Sequence, residues 1–227
     1  NRMKEKCLTK IIKDKRELSG LADSIVEDYL KKTLKKYKTS EENLKDADKK
    51  IIIKEVRANL RRLTGMYQIS KNPEKFLEEN NINEMLKNHS STLERINIYP
   101  KLKEIIKKLK PKSILDLGCG INPIALSNTE VKYFASDINE KNLLLVQKFF
   151  TKNKIKGKTF FYDIEKVKDD LPKVDLCIVF KVLDIVRNRS SATEKIIDNV
   201  KCKKFLISFS TIKLSGRKMN KPKRIWF

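Results

Sequence analysis

The sequence predicts an α/β fold, a parallel sheet preceded by a basic, helical N-terminal subdomain. Three observations predict it. The apolar run 113–117 ends in the turn Gly118-Cys119-Gly120, and a second short run, 132–137, ends in Asp137. Upstream of both, apolar residues recur at three- and four-residue spacing with lysine and arginine between them, the pattern of amphipathic helices. The expected division is a helical subdomain over 1–110 and a sheet domain over 111–227.

At 227 residues the chain can bury one good core with a smaller subdomain attached. Its 52 Lys and Arg outnumber 29 Asp and Glu, a formal net charge of +23, and both halves are basic. Such a field suits a polyanion, and the expected partner is structured RNA. No apolar run approaches the roughly 20 residues that cross a bilayer, and no signal segment opens the chain, so the expected setting is cytoplasmic and free of membrane. Cys7, Cys119, Cys177 and Cys202 form no CxxC pair, so no metal site is evident and the strand cysteines read as buried thiols. Nothing in the sequence sets an oligomeric state.

Taken in order, 7–38 reads as helical, with Leu8, Ile11 and Ile12 as one stripe, Ser19 as the cap of a second helix, and Leu21, Ile25, Tyr29 and Leu34 along its face. Lys31, Lys32, Lys35, Lys36 and Lys38 form a basic end favoured by the helix dipole. A longer helix is expected over 41–68, with Ile52, Val56, Leu60, Leu63 and Tyr67 on the core side. Lys54, Arg57, Arg61 and Arg62 lie between them as candidate phosphate contacts. Pro73 suits the first turn of a short helix, Asn83 a cap for the next, and Ser91 with Glu94 a capping box that opens a helix running to Leu109. That box leaves Arg95 unexplained, one turn in. His89, the only histidine, reads as a hydrogen-bonding or packing residue of the same block.

Pro111 marks the entry to the sheet domain. After the first strand, Gly118 and Gly120 allow positive φ or close approach to a ligand, and Asn122 and Pro123 suit the cap and first turn of the next helix. Asp137, 21 residues beyond Asp116, ends the second strand where an acid can accept both ribose hydroxyls of an adenosine. The third glycine of a dinucleotide fingerprint is missing, so an adenosine without phosphates fits better, and S-adenosylmethionine is the leading candidate. Further elements are a helix over 142–150, strands over 158–162, 174–180 and 202–209, Asp163 beyond the third strand, and Lys181 at the carboxyl end of the fourth. Residues 201–227 hold nine Lys or Arg and no acid. Lys213, Arg217, Lys218, Lys221, Lys223 and Arg224 are therefore further candidate phosphate contacts, and Trp226 reads as a core residue.

The segment 113–126 resembles motif I of class I S-adenosylmethionine-dependent methyltransferases, a Rossmann-like fold. With the blocks 89–95, 175–181 and 207–217 it resembles the 16S ribosomal RNA guanine-N7 methyltransferases that confer aminoglycoside resistance. The resemblance implies a cofactor site of Arg95, Asp116, Gly118, Cys119, Gly120, Asp137, Ile138, Asp163 and Lys181, with Arg95 on the cofactor carboxylate. It also implies that Lys181 and Arg217 position the substrate and that the helical region docks the small ribosomal subunit. Two positions depart from the family pattern: Asp184 and Ser210 stand where it usually has proline. The family continues beyond the fifth strand, whereas this chain runs from Asn1 to Phe227, so the expectation is that the final strands lie outside it. Guanine N7 attacks through a lone pair it already has, and no general base is required. Other readings are a transfer RNA guanine-N7 methyltransferase, a small-molecule methyltransferase, and a noncatalytic RNA-binding factor.

Overall fold

A computed structural model describes residues 2–64, 73–166, 171–186 and 189–211. The chain divides into two compact units, Asn1–Tyr67 with Asn139–Lys141, and Gln68–Ile138 with Asn142–Phe227.

In the first unit, α1 (Arg2–Lys13), α2 (Asp23–Lys36) and α3 (Asp46–Thr64) bury Ile12, Ile25, Val26, Tyr29, Leu30, Ile52, Val56 and Leu60. Leu8, Leu21 and Leu34 are buried with them, as expected; Ile11 is exposed, Leu63 is half-buried, and Tyr67 lies outside the described residues. Ser19 does not cap α2. It closes a 3-10 turn, Arg16–Leu18, its hydroxyl donating to the Arg16 carbonyl at 2.8 Å, and Ala22 precedes α2 instead. The long helix starts at Asp46 because Glu41–Asn43 forms a separate 3-10 turn and Leu44, in extended conformation, turns inward to be buried. The five lysines at the end of α2 are exposed.

The second unit is a five-stranded parallel sheet in the order β3-β2-β1-β4-β5, with β1 (Ser113–Leu117), β2 (Lys132–Asp137), β3 (Gly157–Phe161), β4 (Val174–Phe180) and β5 (Cys202–Ser208). Alternation along the strands gives it two covered faces. Ile114, Tyr133, Ala135, Leu176, Ile178 and Phe180 share one core with residues of α4 (Pro73–Glu78), α5 (Ile82–Lys87), α7 (Tyr99–Leu109), α8 (Asn122–Leu126) and α9 (Glu140–Lys152). Leu115, Leu117, Cys177 and Val179 face the other way, against Ile196 and Ala192 of α10 (Arg189–Asn199). The boundary therefore falls near residue 67 and not at 110: Leu77, Met85, Tyr99 and Ile106 complete the sheet's own core.

Asn81, not Asn83, caps α5, its side-chain oxygen accepting from the Glu84 amide at 3.2 Å. The capping box at Ser91 and Glu94 does not form. A single turn, α6 (Ser90–Leu93), ends with Glu94 as its C-cap, and Pro100 in the first turn of α7 starts a new helix. No helix among the described residues is long and apolar enough to cross a membrane.

Candidate functional site

At the carboxyl end of β1 the chain turns through Gly118 (φ 64°) and Gly120 (φ 52°), both left-handed. A Cβ on Gly118 would stand 2.4 Å from Val182 Cγ2, so this position excludes side chains by backbone conformation and by space. The Cys119 amide donates to the Ser136 carbonyl at 2.9 Å, which fastens the turn to β2, and its thiol is buried, which pushes its pKa up. The Gly120 amide donates to Asp137 Oδ2 at 2.7 Å. Turn and acid are thus joined directly.

Beneath the turn lies a buried polar cluster. Arg95 donates to Asn122 Oδ1 at 3.0 Å, the Tyr99 hydroxyl donates to the same oxygen at 2.7 Å, and the guanidinium carbon lies 5.5 Å from the Phe180 ring centroid. Asn122 is the first residue of α8 and not its cap; its side-chain oxygen is committed to Arg95 and Tyr99. Asp116 is fully buried. Its Oδ2 accepts from the Tyr133 hydroxyl at 2.9 Å, and its Oδ1 has no hydrogen-bond partner among the described residues. Burial raises the Asp116 pKa to about 7, against the opposing effects of the Tyr133 hydrogen bond and the Arg95 charge.

The block 89–95 closes over this cluster. His89 Nδ1 is 2.9 Å from the Ser91 hydroxyl, and its ring edge lies 3.4 Å from where a Cβ on Gly120 would stand. Burial, and then the Arg95 charge, lower its pKa to about 4, so the ring is neutral at pH 7. Lys181, left-handed at φ 61°, follows β4, donates its amide to the Ser208 carbonyl at 2.8 Å, and pairs its ammonium with Glu94. Asp163 opens a 3-10 turn, Ile164–Lys166, its Oδ1 accepting from the Glu165 amide at 3.0 Å, while Ile138 is half-buried just after β2.

The structure thus brings Arg95, Asp116, Gly118, Cys119, Gly120 and Asp137 to one end of the sheet. A concavity of about 200 Å³ lined by Lys112, Asp175 and Lys203 lies at the opposite, amino end. In the first unit, Lys54 and Arg62 are exposed, whereas Arg57 donates to the Ile11 and Ile12 carbonyls and Arg61 to Glu17 at 2.8 Å. Lys213, Arg217, Lys218, Lys221, Lys223, Arg224 and Trp226 lie outside the described residues. Sequence reasoning missed Asn122, Tyr99, Tyr133 and Glu94 as site partners. One signal was available: a carboxylate inside an apolar strand requires a buried donor, and Tyr133 lies on the neighbouring strand.

The family model described as "Ribosomal RNA methyltransferase (FmrO)" matches residues 60–223. The 16S rRNA (guanine(1405)-N(7))-methyltransferase of Micromonospora rosea is 29% identical over 140 residues, which cover 57% of this chain and 49% of that protein. This chain thus spans about half the length of such curated relatives. Solved structures share the fold, among them the following two. The 16S rRNA methyltransferase RmtF, crystallised with S-adenosyl-L-homocysteine, superposes with a TM-score of 0.78 at 19% identity, covering 96% of this chain and 85% of that one. The 16S rRNA methylase ArmA gives 0.51 at 28% identity, over 66% of this chain and 82% of that one.

Proposed function

From the premise that this chain belongs to the ribosomal RNA methyltransferase (FmrO) family, we propose that it transfers the methyl group of S-adenosylmethionine to N7 of a guanine in small-subunit ribosomal RNA. The observation that carries the reading is the convergence of Arg95, Asp116, Gly120 and Asp137 at the carboxyl ends of β1 and β2, where a parallel sheet receives its ligand.

These residues fit the cofactor. Asp116 Oδ1, without a hydrogen-bond partner among the described residues, suits an ammonium, and Arg95, of whose five N–H donors Asn122 takes one, suits a carboxylate. Asp137, fixed by the Gly120 amide, suits a ribose diol, and the two left-handed glycines keep side chains off the turn. When bound, the cofactor supplies an electrophilic methyl group. The protein's task is to align it, because guanine N7 already carries its lone pair and no side chain has to remove a proton. A base held out of its stack is reached from the carboxyl end of β4, where Lys181 stands. Lys54, Arg62 and the exposed lysines of α2, with Lys213, Arg217, Lys218, Lys221, Lys223 and Arg224, contact phosphates of the RNA. Arg57 and Arg61 serve first to hold the helices of their own unit.

The test is transfer of radiolabelled methyl from the cofactor to intact small ribosomal subunits, naked small-subunit RNA, bulk transfer RNA and a small-metabolite pool, each offered separately. Label in the small subunit or its RNA is expected. Label confined to transfer RNA removes the ribosomal target, and label confined to metabolites removes RNA as the substrate.

A further inference from the structure

We propose that Glu94 is a positioning residue of the methyl-transfer site, its carboxylate holding the Lys181 ammonium at the carboxyl end of β4; the inference rests on the reading of Lys181 given above. The two residues are 87 positions apart, and their ion pair joins the block 89–95 to the tip of β4.

The backbone on the lysine side is held against its own preference. Lys181 is left-handed at φ 61°, a conformation disfavoured for a residue with a Cβ. The Lys181 amide bond to Ser208, and the packing of the next residue, Val182, against Gly118, keep it there. The stem of the side chain therefore leaves β4 at a fixed point, while its four rotatable bonds leave the ammonium free to wander. Glu94 removes that freedom. Its own backbone is fixed as the C-cap of α6, its amide donating to the Ser90 and Thr92 carbonyls, and the next residue is Arg95, buried on Asn122. One carboxylate thus sets the ammonium at a defined place relative to the guanidinium.

Stability does not account for the pair. The Glu94 side chain is 59% exposed and that of Lys181 31%, and ion pairs so exposed contribute little to folding. Nor does the helix account for Glu94, since it lies at the end of its turn and caps no N-terminus. What the pair does define is the location of one cation at the carboxyl end of β4.

The experiment compares wild type, Glu94→Gln, Glu94→Asp, Lys181→Ala and the Glu94→Gln/Lys181→Ala double variant. It reads S-adenosylhomocysteine affinity by calorimetry, kcat and KM on the RNA substrate, and the Lys181 ammonium signal by nitrogen-15 NMR of the protein without ligands. Glu94→Gln is expected to lower kcat about tenfold, as a misplaced group does, with little change in KM or cofactor affinity. Glu94→Asp should recover part of the loss, the double variant should be no slower than Lys181→Ala, and the ammonium signal should broaden or vanish in Glu94→Gln. A normal kcat in Glu94→Gln beside a slow Lys181→Ala overturns the inference while sparing Lys181. Normal rates in both overturn the reading of Lys181 itself. A lower KM with higher kcat in Glu94→Gln overturns it differently, by making Glu94 a competitor for the RNA's place.

Discussion

Tyr133 donates its hydroxyl to one oxygen of Asp116 at 2.9 Å, across neighbouring strands and out of contact with water, while the other oxygen has no hydrogen-bond partner among the described residues. A fully buried carboxyl so placed stays protonated until about pH 7. An ammonium arriving at the bare oxygen favours the ionised form, so cofactor binding at lower pH has to displace a proton. Affinity for S-adenosylhomocysteine should therefore rise from pH 5.5 to about 7 and level off above, and Asp116→Asn should flatten that rise. Calorimetry across the range in wild type and variant checks both.

The same carboxyl and His89 should pull folding stability in opposite directions. The His89 pKa is depressed from 6.5 to about 4, so its contribution is present above pH 6.5 and is lost as pH falls toward 4, by roughly 3 kcal/mol in all. The Asp116 pKa is raised from 3.8 to about 7, so its contribution is present below pH 4 and lost as pH rises through 7. Urea unfolding between pH 4.5 and 7.5 should find His89→Gln losing stability more steeply with rising pH than wild type, and Asp116→Asn gaining it.

Arg95 should matter for the ligand more than for the fold. Arg95→Ala leaves Asn122 bonded to Tyr99, yet removes the guanidinium proposed to meet the cofactor carboxylate. Cofactor affinity should fall by ten- to hundredfold, about the worth of a charge-assisted hydrogen bond, and Arg95→Lys should restore only part. Asp137→Ala should weaken the same ligand, because it removes both a ribose acceptor and the partner of the Gly120 amide. Dissociation constants from calorimetry decide; unchanged values would return both residues to purely structural roles.

Gly118 separates backbone strain from lack of room. Gly118→Ala should destabilise by about 1–2 kcal/mol from φ alone, and more from the clash with Val182. Adding Val182→Ala should recover the steric part and leave the backbone part. Denaturant midpoints of the two single variants and the double variant measure it.

Much of this arrangement was legible before the structure. Three strands fall where periodicity puts them, and the glycine turn meets Asp137 as the spacing implied, because parallel strands in register place consecutive strand ends side by side. Ser19, Ser91, Asn122 and Glu94 all suit helix ends, and a helix-end rule does not say which polar partner wins: Ser19 and Ser91 bond to Arg16 and His89 close by in sequence, whereas the distant Arg95 and Tyr99 take Asn122, and Lys181 takes Glu94. The division near residue 67 was hidden for a similar reason, since amphipathic helices look alike whichever core they cover.

What is proposed above all is guanine N7 methylation of small-subunit ribosomal RNA. Its most direct measurement is mass spectrometry of nucleosides released from small ribosomal subunits treated with the protein and isotopically labelled S-adenosylmethionine. Label in 7-methylguanosine is expected, lowered at limiting cofactor by Asp116→Ala or Arg95→Ala. Label in any other nucleoside, or none in a preparation that binds the cofactor and the subunit, would contradict it.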